Sequence, residues 1–203
     1  MVRVKVYVEG GAKRQDLKIR CREGFSQFFA NAGFTGRMPR VIVCGGRKNA
    51  YDSFCRALCS ACADEFPLLL VDSEIPVPDN KDPWDQLMES DEWRRPDGVD
   101  ARHAHLMVQR MESWFLADVV AVSRFFGQSF LARALPRTNP IREVNTEDLL
   151  KALDEATRRC VTKGKYDKSQ HSFGLLSLID PEIVRRGCPH VERLLTVLDE
   201  LLC

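Results

Sequence analysis

Three acids stand where two predicted strands end. Glu9 follows VRVKVYV, and Asp72 and Glu74 follow FPLLLV. In parallel α/β sheets the carboxyl ends of the strands form the crevice where ligands bind. Asp72 and Glu74 are two residues apart, so on an extended backbone they point to the same side. Carboxylates gathered at one sheet edge repel one another unless something positive compensates. A hard divalent cation does so, and oxygen-only ligands favour Mg2+ or Mn2+ over zinc. Gly10 and Gly11 give the backbone room beside Glu9 for a close-approaching phosphate. A single acid after a strand is also an ordinary turn residue, so it is the combination of E-G-G and D-x-E that carries the reading.

The elements that must position these acids alternate. VRVKVYVE reads as a first strand, with Val2, Val4, Val6 and Val8 on one face. A helix is expected over 22–33, ended by Gly33, then a strand over 39–46 and a helix over about 49–65. Residues 66–74 form the most continuously apolar run, as a central parallel strand should. A loop-rich stretch with a short helix near PWDQLMES leads to a strand over 103–109 and a helix over 111–127. This alternation implies right-handed crossovers and an α/β fold: a parallel sheet of about four strands flanked by helices. The clean alternation of the first strand suggests an edge position or a polar face lining a cleft. From 128 the pattern is helical only, with a helix over 146–161 capped by Thr146, short helices around 173–178 and 181–186, and a last helix from 189. The expected organisation is an α/β domain over 1–127 and a helical C-terminal extension over 128–203 packed on it.

The chain has 203 residues, 44% hydrophobic and 29% charged, enough apolar material for a sizeable core. No apolar run reaches the roughly 18 residues of a membrane helix, and the alternating N-terminus does not resemble a signal peptide. A cytoplasmic location without membrane contact is expected. The formal net charge of +1 announces no global field for nucleic acid. Locally, bases concentrate at 13–22 (Lys13, Arg14, Lys18, Arg20, Arg22) and at 37–48 (Arg37, Arg40, Arg47, Lys48), and acids at 79–100. The basic clusters are expected on the same sheet edge as the acids, where they would engage a phosphate backbone in a sequence-independent way. Gly45, Gly46 and Arg47 offer a phosphate-facing turn, although the G-x4-G-K-[ST] loop of nucleotide hydrolases is absent. The motifs G-x-S-x-G and H-E-x-x-H and a dinucleotide fingerprint are absent too.

Cys55, Cys59 and Cys62 have C-x3-C-x2-C spacing, which holds an iron–sulfur cluster in radical-SAM enzymes. Here the segment reads as a helix with the cysteines beside an apolar stripe, a core-facing pattern. His103, His105 and His171 read more simply as structural hydrogen-bonders than as catalysts.

VYVEGG followed by LLLVDSE resembles the Toprim domain of topoisomerases, primases and overcoming-lysogenization-defect nucleases. With VIVCGGR, VQRMESWFLAD and GKYDKSQHSFGLL, the chain as a whole resembles the small Toprim-like proteins of family DUF4276. The resemblance implies a Toprim-like fold and a nuclease hydrolysing phosphodiester bonds with Mg2+ or Mn2+. Glu9 would match the Toprim glutamate, as metal ligand or general acid/base, and Asp72 and Glu74 the D-x-D metal ligands. The second acid is here one methylene longer, which bears on metal geometry. Glu112 would add a carboxylate for a second metal, or serve as a first-turn acid complementing a helix dipole. Asp118 reads as a surface or packing residue. Lys165 and Lys168 would supply positive charge to the transition state, and Gly10, Gly11, Arg47 and Lys48 would contact nucleic acid. Two metals about 3.5–4 Å apart would activate the water and neutralise the leaving oxygen. Expected partners are DNA or RNA, a neighbouring-gene ABC- or SMC-type ATPase in anti-phage defence, and a second copy of the chain. The alternative is a catalytically degenerate Toprim-like subunit that binds or regulates an ATPase.

Overall fold

The computed structural model describes residues 2–11, 14–137 and 141–203. Four parallel strands form one sheet in the order β2-β1-β3-β4: β1 (Arg3–Val8), β2 (Arg40–Val43), β3 (Glu65–Asp72) and β4 (Ala104–Met107). The architecture is therefore α/β with an all-parallel sheet, as the strand and helix alternation requires.

Side-chain parity divides the molecule into two layers. Val4, Val6, Val8, Leu68 and Leu70 enter the larger core, and Tyr7, Leu69, Val71, Ala104 and Leu106 the smaller one on the opposite face. Helix α1 (Gln15–Phe29) and helix α8 (Pro189–Leu202) bury their apolar stripes in the larger core. Helix α2 (Arg47–Ser60) and helix α3 (Pro83–Asp91) cover the other face through Ala50, Phe54, Trp84 and Leu87. Trp114 stacks on Phe28 with centroids 5.2 Å apart at the centre of the larger core. Beyond residue 128 lie α5 (Thr146–Thr157), α6 (Lys168–Leu176), α7 (Pro181–Gly187) and α8. Their buried leucines belong to the same cluster as Val4 and Leu68, so these helices complete one face of the sheet and share its core.

Several expectations change. The first strand is interior, between β2 and β3; its polar face is satisfied because Lys5 pairs with Glu65 of β3 at 2.8 Å. The first helix begins at Gln15, not 22: Leu17, Cys21, Phe25 and Phe28 form one buried stripe, masked in the sequence by the bases between them. It then continues as a π-helical turn over Ala30–Phe34. The helix expected over 111–127 is a 3-10 segment (Met111–Leu116) followed by α4 (Val119–Phe126). Asp118 separates them: one of its oxygens accepts from Ala121 N–H and the other from Asp180 N–H, so a buried carboxylate caps α4 and joins it to the start of α7. Asn145, not Thr146, caps α5, accepting from Glu147 N–H at 2.8 Å. Among the described residues no helix is long and apolar enough to cross a membrane.

Cys55 is half-buried against the smaller core, but Cys59 and Cys62 are exposed, which corrects the core-facing reading of the triplet. The helix ends at Ser60, and its core stripe runs through Ala50 and Phe54. Cys55, Cys59 and Cys62 are free thiols, and no group of three His, Cys, Asp or Glu side chains among the described residues is placed to hold a metal.

His105 on β4 is 1% exposed; its Nε2–H donates to the Arg102 carbonyl at 3.1 Å. Burial, followed by the nearby Arg193, lowers its pKa from the usual value to about 3. A depressed base stabilises the fold above its unfolded pKa, about 6.5, and that contribution drains away as pH falls toward the folded value. Between pH 7 and pH 5, His105 should cost the wild type about 2 kcal/mol. Urea unfolding of wild type and His105→Gln at both pH values checks this: the stability gap should move by that amount in favour of the variant.

Candidate functional site

The carboxyl ends of β1, β3 and β4 converge on a cavity of about 460 Å³, lined by Glu9, Asp72 and Glu112 among others. Register brings them together. Val8 pairs with Leu70 and Asp72 with Met107, so Glu9 comes beside the end of β3, and the Asp72 N–H donates to Glu9 Oε2 at 3.4 Å. Glu112 arrives from the 3-10 segment after β4 and is 1% exposed.

The loops around the acids are shaped by backbone. Gly10 N–H donates to the Gly45 carbonyl at 2.8 Å, tying the β1 and β2 exits together. Gly10 has φ 149°, and a Cβ there would lie 2.7 Å from Cys21 Sγ, so only glycine lets this turn lie so close to α1. Gly11, Gly45 and Gly46 complete this rim of the cavity.

Each carboxylate is compensated differently. Glu112 accepts from Ser172 Oγ at 3.1 Å and pairs with Lys168 Nζ at 3.1 and 3.3 Å. Tyr166 Oη lies 2.7 Å from Ser172 Oγ, and burial together with Glu112 pushes its phenol well up. Glu9 faces Arg47 Nη1 at 4.0 Å; its pKa is raised, burial outweighing that guanidinium. Asp72, 8% exposed, accepts from Met111 N–H at 3.0 Å, and its pKa rises to about 8 through burial, Glu112 and Glu9. Arg47 itself is held by a two-pronged ion pair to Asp91, at 2.9 and 2.6 Å, and lies over the Trp93 ring at 5.0 Å.

Other sequence candidates fall outside this cavity. β3 ends at Asp72, so the period-two argument does not reach Glu74: it stands at φ 61°, is half-exposed and lies 3.7 Å from Arg110. Lys165 is not near the acids; it pairs with Asp154 of α5 at 2.7 Å in solvent. Lys48 projects outward to Asp52. The basic clusters do not share one edge. Arg40 opens β2 at the opposite end from Gly45, and Arg37 pairs with Asp199. Arg14 pairs with Asp16, while Arg20 donates to the Ser169 and Gln170 carbonyls of α6; Lys13 lies outside the described residues. The acids of 79–100 are largely absorbed by caps and ion pairs such as Asp82 on α3 and Asp91 on Arg47. His171 accepts from Asp167 N–H and His103 contacts Asp100, both structural roles.

Ser172, Tyr166 and Met111 escaped the sequence reading. Lys168 and Ser172 are four apart on one helix face, the one pattern that could have flagged the serine.

The family model described as "Domain of unknown function (DUF4276)" matches residues 8–199. The chain belongs to that family. In this DUF4276 chain the match begins beside Glu9 and ends within α8, so it covers every acid of the cavity. No curated protein and no solved structure matches the chain.

Asp72 separates a structural carboxylate from one held for function. Its raised pKa means that stability is full below the unfolded value, near 4, and falls as pH rises through about 8. Asp72→Asn keeps an acceptor for Met111 N–H and removes the buried charge. At pH 8 with chelator, its urea midpoint should lie above that of the wild type, and the gap should close as pH falls toward 4. A loss of stability would make Asp72 a structural residue.

Proposed function

We propose that this chain is a Toprim-type phosphodiesterase that uses Mg2+ or Mn2+ and acts on nucleic acid. The observation that carries the reading is the convergence of Glu9, Asp72 and Glu112, from three separate parts of the chain, on one cavity rimmed by glycine turns. The donor chemistry suits a hard divalent ion: the ligands are all carboxylates, and the charge at Asp72 is under-compensated. Glu9, Asp72 and Glu112 are the residues that would hold the ion, although as they stand they are not drawn together into a ligand set; when bound it would supply Lewis-acid charge and a water of lowered pKa. Glu74 is not needed in that set.

The chain's own groups would do the rest. Lys168, half-exposed on α6, reaches the acids and would balance negative charge developing on the phosphoryl oxygens. Ser172 and Tyr166 hold the Glu112 carboxylate in one orientation. The narrow turns at Gly10–Gly11 and Gly45–Gly46 would admit a phosphate against the backbone.

A second reading, a degenerate subunit that binds rather than cleaves, is favoured by one observation. Lys168 already neutralises Glu112, and among the described residues no three acids are drawn together tightly enough to hold an ion. Partnership with an ABC- or SMC-type ATPase, a role in anti-phage defence, self-association and a cytoplasmic location rest on the resemblance and composition alone.

Plasmid, single-stranded DNA and tRNA incubated with the protein and Mg2+ or Mn2+ test the reading. Glu9→Gln, Asp72→Asn and Glu112→Gln should each lower cleavage at least on the order of a hundredfold. Glu74→Gln and Lys165→Ala should stay within about threefold of wild type. Cleavage that persists in Asp72→Asn removes the assignment; absent cleavage and absent calorimetric Mn2+ binding favour the second reading.

A further inference from the structure

We propose that the cavity takes one unpaired nucleotide at a time, its base lying against Phe173 and its phosphate beside Glu9 and Asp72, so that the substrate is a single strand or a frayed end. The inference rests on the phosphodiesterase reading and narrows it. The cavity volume, about 460 Å³, is that of a site enclosing a small molecule, commonly about 300–1,000 Å³. A nucleotide is a ligand of that size; a duplex, whose major groove alone is about 12 Å wide, is not.

The lining has two characters. Around the acids it is ionic, but Leu17, Met107, Met111 and Phe173 give it apolar walls as well. A sugar–phosphate backbone has no use for such walls, whereas a base has a flat π-face that stacks on an aromatic ring whatever its identity. Phe173 is placed for this. Its ring lies 3.6 Å from where a Gly10 Cβ would stand, hence directly beside the turn that follows Glu9. Gly10 is in turn bonded to Gly45, at the entry to α2, so stacking surface, glycine turns and acids are contiguous.

α6 forms one wall and is fixed there. Arg20 of α1 donates to the carbonyls of Ser169 and Gln170 in its first turn. A Cβ on Gly24 would stand 2.8 Å from the Phe173 carbonyl, so α1 and α6 are already in backbone contact. A strand held inside a duplex would have to expose its nucleotide by flipping or fraying before the phosphate reached the acids, as for enzymes whose target atom is buried in the stack.

Calorimetry on the full chain, with and without Mn2+, compares deoxyadenosine 5′-monophosphate with 2-deoxyribose 5-phosphate. The nucleotide should bind on the order of tenfold more tightly. Phe173→Leu, which keeps apolar volume but loses the ring, should erase most of that difference without changing sugar-phosphate binding. In the cleavage arm, linear single-stranded DNA should be degraded at least tenfold faster than covalently closed duplex. Equal binding of nucleotide and sugar phosphate, or closed duplex cut as fast as single strands, overturns the inference while leaving the phosphodiesterase standing. Preferential nucleotide binding without cleavage of any substrate supports the pocket assignment and removes the hydrolytic reading instead.

Discussion

Burying like charge is the problem that the carboxyl edge of this sheet has to solve. A carboxylate withdrawn from water loses hydration that only cations or N–H and O–H donors replace. Glu112 receives both, from Lys168 and Ser172; Glu9 receives a distant guanidinium and one backbone N–H. Asp72, buried at the strand end, accepts among the described residues only the Met111 N–H, with Lys168 acting on it through space, and its ionised form is correspondingly disfavoured. Such under-compensation would be removed easily by mutation if it served nothing, since most single amide replacements of a buried carboxylate keep its shape.

The surrounding architecture follows from bringing a donor-bearing helix to these acids. α6 carries Lys168 and Ser172, and it reaches the cavity because its backbone lies almost against α1 at Gly24. Arg20 then fixes its first turn, and the leucines of α6 and α8 anchor it into the core beneath β1. The C-terminal helices therefore do two things at once: they seal the larger apolar face of the sheet and deliver the counter-charges to its edge. Cutting the chain near residue 128 would remove both.

The fold was legible wherever periodicity was strong. Valines at every second position marked β1, and the unbroken LLLV run marked a strand covered on both faces. Boundaries failed where polar side chains acted through tertiary contacts. Asp118 looks like a helical residue in sequence, yet its carboxylate caps α4 and reaches Asp180, sixty-two positions away. Lys5 and Tyr7 suggested an edge strand because nothing local revealed that Glu65 and the smaller core would receive them. At the site, Glu9, Asp72 and Glu112 could be picked out by their positions after strands, because strand ends of a parallel sheet lie at one edge by construction. Glu74 misled for the same reason in reverse: the strand stops at Asp72, and spacing argued along a strand says nothing about a residue beyond its end. Lys165 and Lys168, three residues apart, diverge because α6 begins between them.

Lys168 is where the two functional readings part. An ammonium on a flexible stem is a point charge that can move, unlike a fixed guanidinium fork. With both Glu112 oxygens within 3.3 Å, it neutralises that acid in the protein as it stands. On the hydrolytic reading, Glu112 would share its charge with a bound divalent ion, and the Lys168 ammonium would then be available to face the phosphate. On the binding reading, the ammonium is the permanent counter-ion and the cavity never needs another. Asp72 argues for the first, because Lys168 acts on it only through space and burial still prevails there. A site content with its own lysine would have no reason to leave Asp72, a buried acid, so poorly matched.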